Sequence, residues 1–311
     1  MSWMESEERA YLRKIAETEM LHTEIYRALA DSERDRGMKD LLAKFSAMEH
    51  EHSNLWAKAH GAPIERRRYL SPFMGSAVIA FRKVFGVALT AKFIEYNEAQ
   101  LHAKLEALIK RLGPRDKDAA LVHRLMAYET SKEAPLERRI IGYSPILNNI
   151  RDVIFGMNDG LVEVLAATVG FAAAVQSASI VLLAGFIVAI SGTLSMSGGA
   201  YLSTEYEASL AGSEKETARA KRSAYYVGLL YLVGAFFPLL PFIFGYTGAV
   251  GIVLSIISTS IVLAVASSLI SIISGTSIKT RVVKSLLISL GAAAVTILLG
   301  YFARTTLHIS I

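Results

Sequence analysis

The alternation of apolar and polar positions changes character near residue 150. Before it, apolar residues recur at helical spacing inside charged stretches. Leu12, Ile15, Glu19, His22 and Tyr26 share one face of a predicted helix over 4–34, which Gly37 breaks. A second helix, 38–60, places Leu41, Leu42, Phe45, Met48, Leu55 and Trp56 on its apolar side and ends at Gly61-Ala62-Pro63. Residues 71–86 are apolar but carry Arg82 and Lys83, and are predicted to be a short connecting helix rather than a span. A third long helix covers 88–112, closed by Gly113-Pro114, and a fourth covers 116–134, closed by Pro135. After the junction at Pro145 and Asn148-Asn149 the pattern is nearly all apolar. Segments at 152–176, 178–203, 223–244, 247–274 and 282–303 each have the length of a membrane-spanning helix. The predicted fold class is all-α: a four-helix bundle over 1–140, a linker over 141–150 and a five-helix membrane domain over 151–311.

Charge follows the same division. Residues 1–150 hold 24 Lys+Arg and 21 Asp+Glu, whereas residues 151–311 hold 9 and 7. The net charge of +5 is thinly spread, with bases interleaved among acids, which argues against nucleic acid as a partner. Arg66-Arg67-Arg68 is the only basic cluster and reads as a solvated loop, with contact to anionic lipid as the other reading. The chain has no Cys, which excludes disulfides, zinc–thiolate sites and iron–sulfur clusters. The acidic N-terminus, with Glu5, Glu7 and Glu8, does not read as a signal peptide. Basic residues concentrate in the connectors 204–222 and 275–284, so these and the N-terminal domain are expected on the cytoplasmic side, with the C-terminus outside.

Candidate chemistry in the first domain comes from acids that recur once per helix amid apolar neighbours: Glu19, then Glu49 and His52 at Glu-x-x-His spacing, then Glu95 and Glu98, then Glu129. Inward carboxylates on four helices with Glu-x-x-His motifs are the pattern of a dimetal carboxylate bundle. Oxygen and imidazole donors together suit iron. These positions resemble the rubrerythrin/ferritin-like superfamily, which implies a ferritin-like bundle holding iron, as Fe²⁺ or Fe³⁺, on Glu19, Glu49, His52, Glu95, Glu98 and Glu129. The resemblance departs in helix four, where Lys132 stands in place of the expected His; Glu133 or His22 are the candidate substitutes. His50, His60, His102 and His123 are expected to be surface or packing residues.

In the membrane domain the informative stretch is Arg151-Asp-Val-Ile-Phe-Gly-Met-Asn-Asp-Gly-Leu161. Asp159 and Glu163 lie four apart on one helical face within a span, where a carboxylate costs roughly 2.5–3.5 kcal/mol and marks an ion path. Glu163 is expected to be buried. The second span carries Met196 at the depth of Asp159, beside Met157, and a thioether next to a carboxylate suits Fe²⁺. Glu205 and Glu207 are expected at the mouth of the path. These stretches, with Ser195-Met-Ser-Gly-Gly-Ala-Tyr-Leu202, resemble the vacuolar iron transporter family across all five spans. The resemblance implies Fe²⁺ transport out of the cytosol, with Mn²⁺ as a second ion, by proton antiport through a homodimer in the lipid bilayer. The combined architecture resembles membrane-bound ferritins, in which the first module captures or oxidises iron. No catalytic residue is assigned. Two rival readings are a membrane-anchored di-iron oxidase or peroxidase, and a metal sensor that gates the pore.

Overall fold

The computed structural model describes residues 6–63, 69–110, 117–142, 147, 149–211 and 216–306, and every regular element among them is helical. The Arg66-Arg67-Arg68 cluster, the Gly113-Pro114 stop, Pro145, Asn148, Glu214 and Lys215 lie outside these residues. The chain divides into two compact units, Met1–Asn148 and Asn149–Ile311.

The first unit contains α1 (Ser6–Asp31), α2 (Arg36–His60), α3 (Pro72–Ile109) and α4 (Lys117–Gly142). Asp35 caps α2 by accepting from the Met38 amide at 2.8 Å, and Gly61, at φ 91°, closes it in the left-handed conformation. α1 packs on α2 and α3, and α4 packs on the same two, so the helices form a ring of four. Two buried serines pin the α1–α2 seam: Ser46 donates to the Thr23 carbonyl and Ser53 to that of Ala16, both at 2.8 Å. Leu12, Ile15, Trp56, Leu105 and Val122 form the shared core.

Two boundaries differ from the sequence expectation. The connecting segment and third helix are one element, α3, kinked at Gly86 (φ 81°, ψ 165°). Arg82, just before the kink, ties it to the α1–α2 turn by pairing with Glu33 at 2.5 Å. Pro135 does not end α4, which runs on to Gly142. Its ring is exposed, and Ile140 beyond it is buried, so the packing of the last turns continues the helix past the missing amide bond.

The second unit contains α5 (Ile150–Ala174), α6 (Ala178–Ala211), α7 (Glu216–Ile243), α8 (Gly248–Ile273) and α9 (Ile278–Thr306). All five are long and apolar enough to cross a membrane. α6 runs past the expected end at 203, and α7 and α9 start before their expected apolar limits, because helix formation continues through their charged ends. α5 is the hub, packing on α6, α7, α8 and α9.

α5 and α7 cross with backbone against backbone. A Cβ at Gly156 would overlap the Val227 carbonyl, one at Gly160 that of Tyr231, and one at Gly234 would lie 2.7 Å from the Met157 carbonyl oxygen. Small residues let spanning helices approach until their backbones touch. Pro238 and Pro241 interrupt the bonding of α7. Pro241 leaves the Phe237 carbonyl without its amide partner, and Ser258 of α8 donates to that carbonyl at 3.1 Å. Ser255 donates to the Pro238 carbonyl at 2.7 Å.

Replacing Gly160 by Ala should force the α5–α7 crossing apart and destabilise the fold by about 1–3 kcal/mol. The control is Gly198→Ala, where a Cβ meets nothing within 4 Å. Thermal melting of the purified full chain checks this, and equal melting of the two variants would sink the argument.

Candidate metal sites

The ring of α1–α4 turns its acids and imidazoles inward. Glu19, His22, Glu49, His52, Glu98 and Glu129 are all buried. They fall into three groups whose potential ligand atoms lie within 4.8 Å of one another: Glu19, His22, Glu49 and Glu98; Glu49, His52 and Glu133; and Glu98, His102 and Glu129. Glu49 and Glu98 each belong to two groups, so the three adjoin. His52 Nδ1 lies 3.3 Å from Glu133 Oε1, 3.8 Å from Glu49 Oε2 and 4.0 Å from Glu129 Oε1. His102 Nε2 lies 3.3 Å from Glu129 Oε2, and His22 Nδ1 lies 3.9 Å from Glu98 Oε2. Trp56 Nε1 donates to the other oxygen of Glu129.

The structure thus gathers all but one of the acids and the histidine that the sequence singles out in this domain. Glu133 enters where the expected histidine is missing, whereas Lys132 is exposed and lies over the Tyr128 ring, 5.4 Å from its centroid. Glu95 stands apart from the three groups and pairs with Lys92 at 3.0 Å. His102, expected on the surface or in packing, instead faces Glu129. Its signal was its position four after Glu98, one turn along the same helical face. His50 and His123 are exposed, and the side chain of His60 lies outside the described residues.

Both oxygens of Glu19, one oxygen each of Glu49, Glu129 and Glu133, Nδ1 of His22, both nitrogens of His52 and Nε2 of His102 are buried without a hydrogen-bond partner. Each such orphan costs on the order of 1–3 kcal/mol. Protons answer part of the problem. Burial raises the Glu19 and Glu98 carboxyls well above the ordinary range, and neighbouring carboxylates raise them further. Burial likewise takes Glu49 to about 7 and Glu129 to about 8. Burial works against charge on His52, but Glu133, Glu129 and Glu49 outweigh it and its value rises. Burial holds His22 down to about 4. A divalent cation would answer the same problem more completely, since it takes up several converging lone pairs at once. Carboxylate and imidazole donors fit Fe²⁺ or Mn²⁺.

In the second unit, α5 carries a stripe on one face: Phe155, Asp159 and Glu163 at four-residue spacing, and Phe171 eight residues on. Asp159 is half-buried, and Phe155, Glu163 and Phe171 are exposed on the single chain. The expectation that Glu163 is buried is therefore corrected. α5 buries its glycine and Leu161–Val164–Leu165 side against the other spans and leaves Phe155, Glu163 and Phe171 exposed. Glu163 is nonetheless anchored, because Tyr231 of α7 donates to Glu163 Oε2 at 2.8 Å. The fully buried tyrosine reaches it past Gly192 of α6, where a Cβ would overlap the hydroxyl. Tyr231 went unnoticed in the sequence, lying amid an apolar run with no acid nearby. Met196 packs against the cluster of Val164, Ala189 and Tyr231. Met157 is half-buried on α5, and its carbonyl faces Gly234. Glu205 and Glu207 are exposed on the last turns of α6, and Glu205 accepts from Tyr201 at 3.2 Å.

A family comparison bears on this unit. The model of the VIT family matches residues 150–222 and 206–301. The five-span unit matches the VIT family. The chain is also 29% identical over 134 residues to "Vacuolar iron transporter homolog 4" of Arabidopsis thaliana, a match covering 39% of this chain and 68% of that protein. The VIT-like unit includes α5 with its acidic stripe and α6 with Met196.

The buried cluster makes a pH prediction for metal-free protein. Raised carboxyl values mean that the folded state holds protons the unfolded chain has released. This contribution is full below the unfolded value and is lost as pH rises through the folded values of about 7 for Glu49 and about 8 for Glu129. The depressed imidazole of His22 acts oppositely, but only below its unfolded value of 6.5. Between pH 6.5 and 8 the chelator-treated full chain should therefore lose thermal stability, and added Mn²⁺ should restore it. Melting followed by circular dichroism checks this; a flat or rising curve without metal would contradict it.

Proposed function

We propose that this chain is a transporter that moves Fe²⁺, with Mn²⁺ as a second substrate, out of the cytosol, and that its first unit is a ferritin-like module that captures the metal. The observation that carries the transport reading is the stripe of α5: Asp159 and Glu163 sit on a helix long and apolar enough to span a membrane, Asp159 half-buried and Glu163 exposed on the single chain. Glu163 falls about 20 Å from the start of α5 at 1.5 Å per residue, near the middle of its length. An ionisable group at that depth does not face hydrocarbon; it faces a polar path or another protein surface. A second copy of the chain supplies that surface. Two such stripes facing each other across a homodimer would line a path with four carboxylates, with Met157 and Met196 as soft donors beside it. Similarity to the VIT family and to a protein named as a vacuolar iron transporter homologue supports metal as the cargo. Glu163, held by the Tyr231 hydroxyl, is the group we assign to proton exchange with the ion. Glu205 and Glu207 are assigned to the mouth. The positive-inside rule puts the basic ends of the spans on the cytoplasmic side.

For the first unit the reading rests on the adjoining ligand groups. Glu19, Glu49, His52, Glu98, Glu129 and Glu133, joined by His22 and His102, would hold iron, with Glu49 and Glu98 shared between neighbouring positions. Iron so bound supplies redox chemistry, and the residues of this chain supply a dry, anionic, histidine-bearing enclosure that excludes competing ligands. Glu95, paired with Lys92, stands outside this set.

Asp159→Asn should reduce Fe²⁺ flux into proteoliposomes to background at equal incorporation and unchanged melting. Wild-type flux in that variant would remove the stripe from the transport path. Independently, Glu49→Ala combined with His52→Ala should lower the iron retained per full-length chain. Unchanged stoichiometry, measured by elemental analysis, would show that the cluster is not the storage site.

A further inference from the structure

Outside both candidate sites, a groove of about 470 Å³ runs between α8 and α9. Ala264, Val265 and Leu269 form one wall, and Val282 and Val283 the other, with Lys279 at its end. The walls are mostly hydrocarbon. The one hydroxyl in them, on Ser268, is turned onto the Ala264 carbonyl at 2.7 Å. Beside the groove, Ser267 and Ser285 are hydrogen-bonded at 3.0 Å, which fixes the two helices relative to each other. Val265 is 52% exposed and Val283 46%, so the groove opens outward along the spans.

The charge at its end is one-sided. Lys279, Arg281 and Lys284 follow one another on the first turns of α9, and Lys279 shares a face with Val282 and Val283. No acid follows Glu216 anywhere in the sequence, so neither α8, α9 nor their connector holds a counter-charge. Among the described residues, none of these three bases is in an ion pair. An apolar trough along two spans that ends at Lys279, on a helix start that also carries Arg281 and Lys284, complements one kind of molecule: a long hydrocarbon chain that terminates in an anion at headgroup depth. Basic pockets between spanning helices take anionic headgroups. Long basic side chains lay their methylenes on apolar surface while keeping the charge at the polar boundary.

We propose that this groove is a binding site for an anionic phospholipid, its acyl chain between α8 and α9 and its phosphate against Lys279. The site is separate from the acidic stripe of α5 and does not depend on which ion is transported.

The test uses the full chain purified in a neutral detergent. Phosphatidylglycerol should raise the melting temperature and remain bound in native mass spectrometry, whereas phosphatidylcholine should do neither. Lys279→Gln should raise the phosphatidylglycerol concentration needed for half-maximal stabilisation about fivefold, and Lys284→Gln, which lies off the groove, by less. Val265→Trp, which fills the groove and leaves the charges in place, should abolish lipid retention. Equal stabilisation by phosphatidylcholine would overturn the proposal, as would no stabilisation by either lipid or a wild-type response in the charge variants. Reproduction of the effect by inorganic phosphate would assign the cations to a free anion. A phosphatidylglycerol response that tracks a change in oligomeric state by light scattering would make the groove an interface between copies. Both outcomes would also overturn it.

Discussion

The contact of backbone on backbone where α5 crosses α7 is the constraint from which the membrane unit follows. Gly156, Gly160 and Gly234 remove the side chains that would hold the two helices a full diameter apart. Drawn in so closely, α7 brings Tyr231 beneath Gly192 and up to Glu163. The same contact commits the glycine face of α5 to the interior, so Asp159 and Glu163 fall at the edge of the packed face, one half-buried and the other exposed. Acid placement and helix packing are thus one arrangement: a helix that buries its small residues presents its charged ones. The prolines of α7 fit because α8 supplies hydroxyls to the carbonyls around them, so the helix that carries Tyr231 keeps its course.

The first unit places a different tension at its centre. Four helices bury their apolar faces and in doing so enclose five carboxylates and three imidazoles with many lone pairs unanswered. Serine bonds across the α1–α2 seam and the Trp56–Glu129 bond hold this arrangement from outside. A cation held by these groups would offset that cost.

Much of this was legible in the sequence because helical spacing converts directly into a shared face. Glu49 and His52, Asp159 and Glu163, and the five apolar segments were readable from intervals alone. What was not readable depended on partners distant in the chain. His102 looks like any surface histidine until α4 brings Glu129 to it, 27 residues later. Tyr231 is one aromatic in an apolar run, and only the glycine crossing carries it to an acid 68 positions earlier. Glu95 has the right interval for a ligand, yet a lysine three residues before it holds its carboxylate. Pro135 carries the usual stop signal, and burial of Ile140 overrides it. Burial of Glu163 failed as an expectation because hydropathy records that a residue lies in a span, not which side of the span the rest of the chain covers.

The bond from Trp56 to Glu129 has an optical consequence. The chain holds two tryptophans, Trp3 and Trp56, and the second is fully buried with its indole nitrogen on a carboxylate of the cluster. Indole emission responds to the charge beside it and is quenched by paramagnetic ions at contact range. A metal entering the cluster would therefore be reported from inside the protein, by a fluorophore the chain already carries.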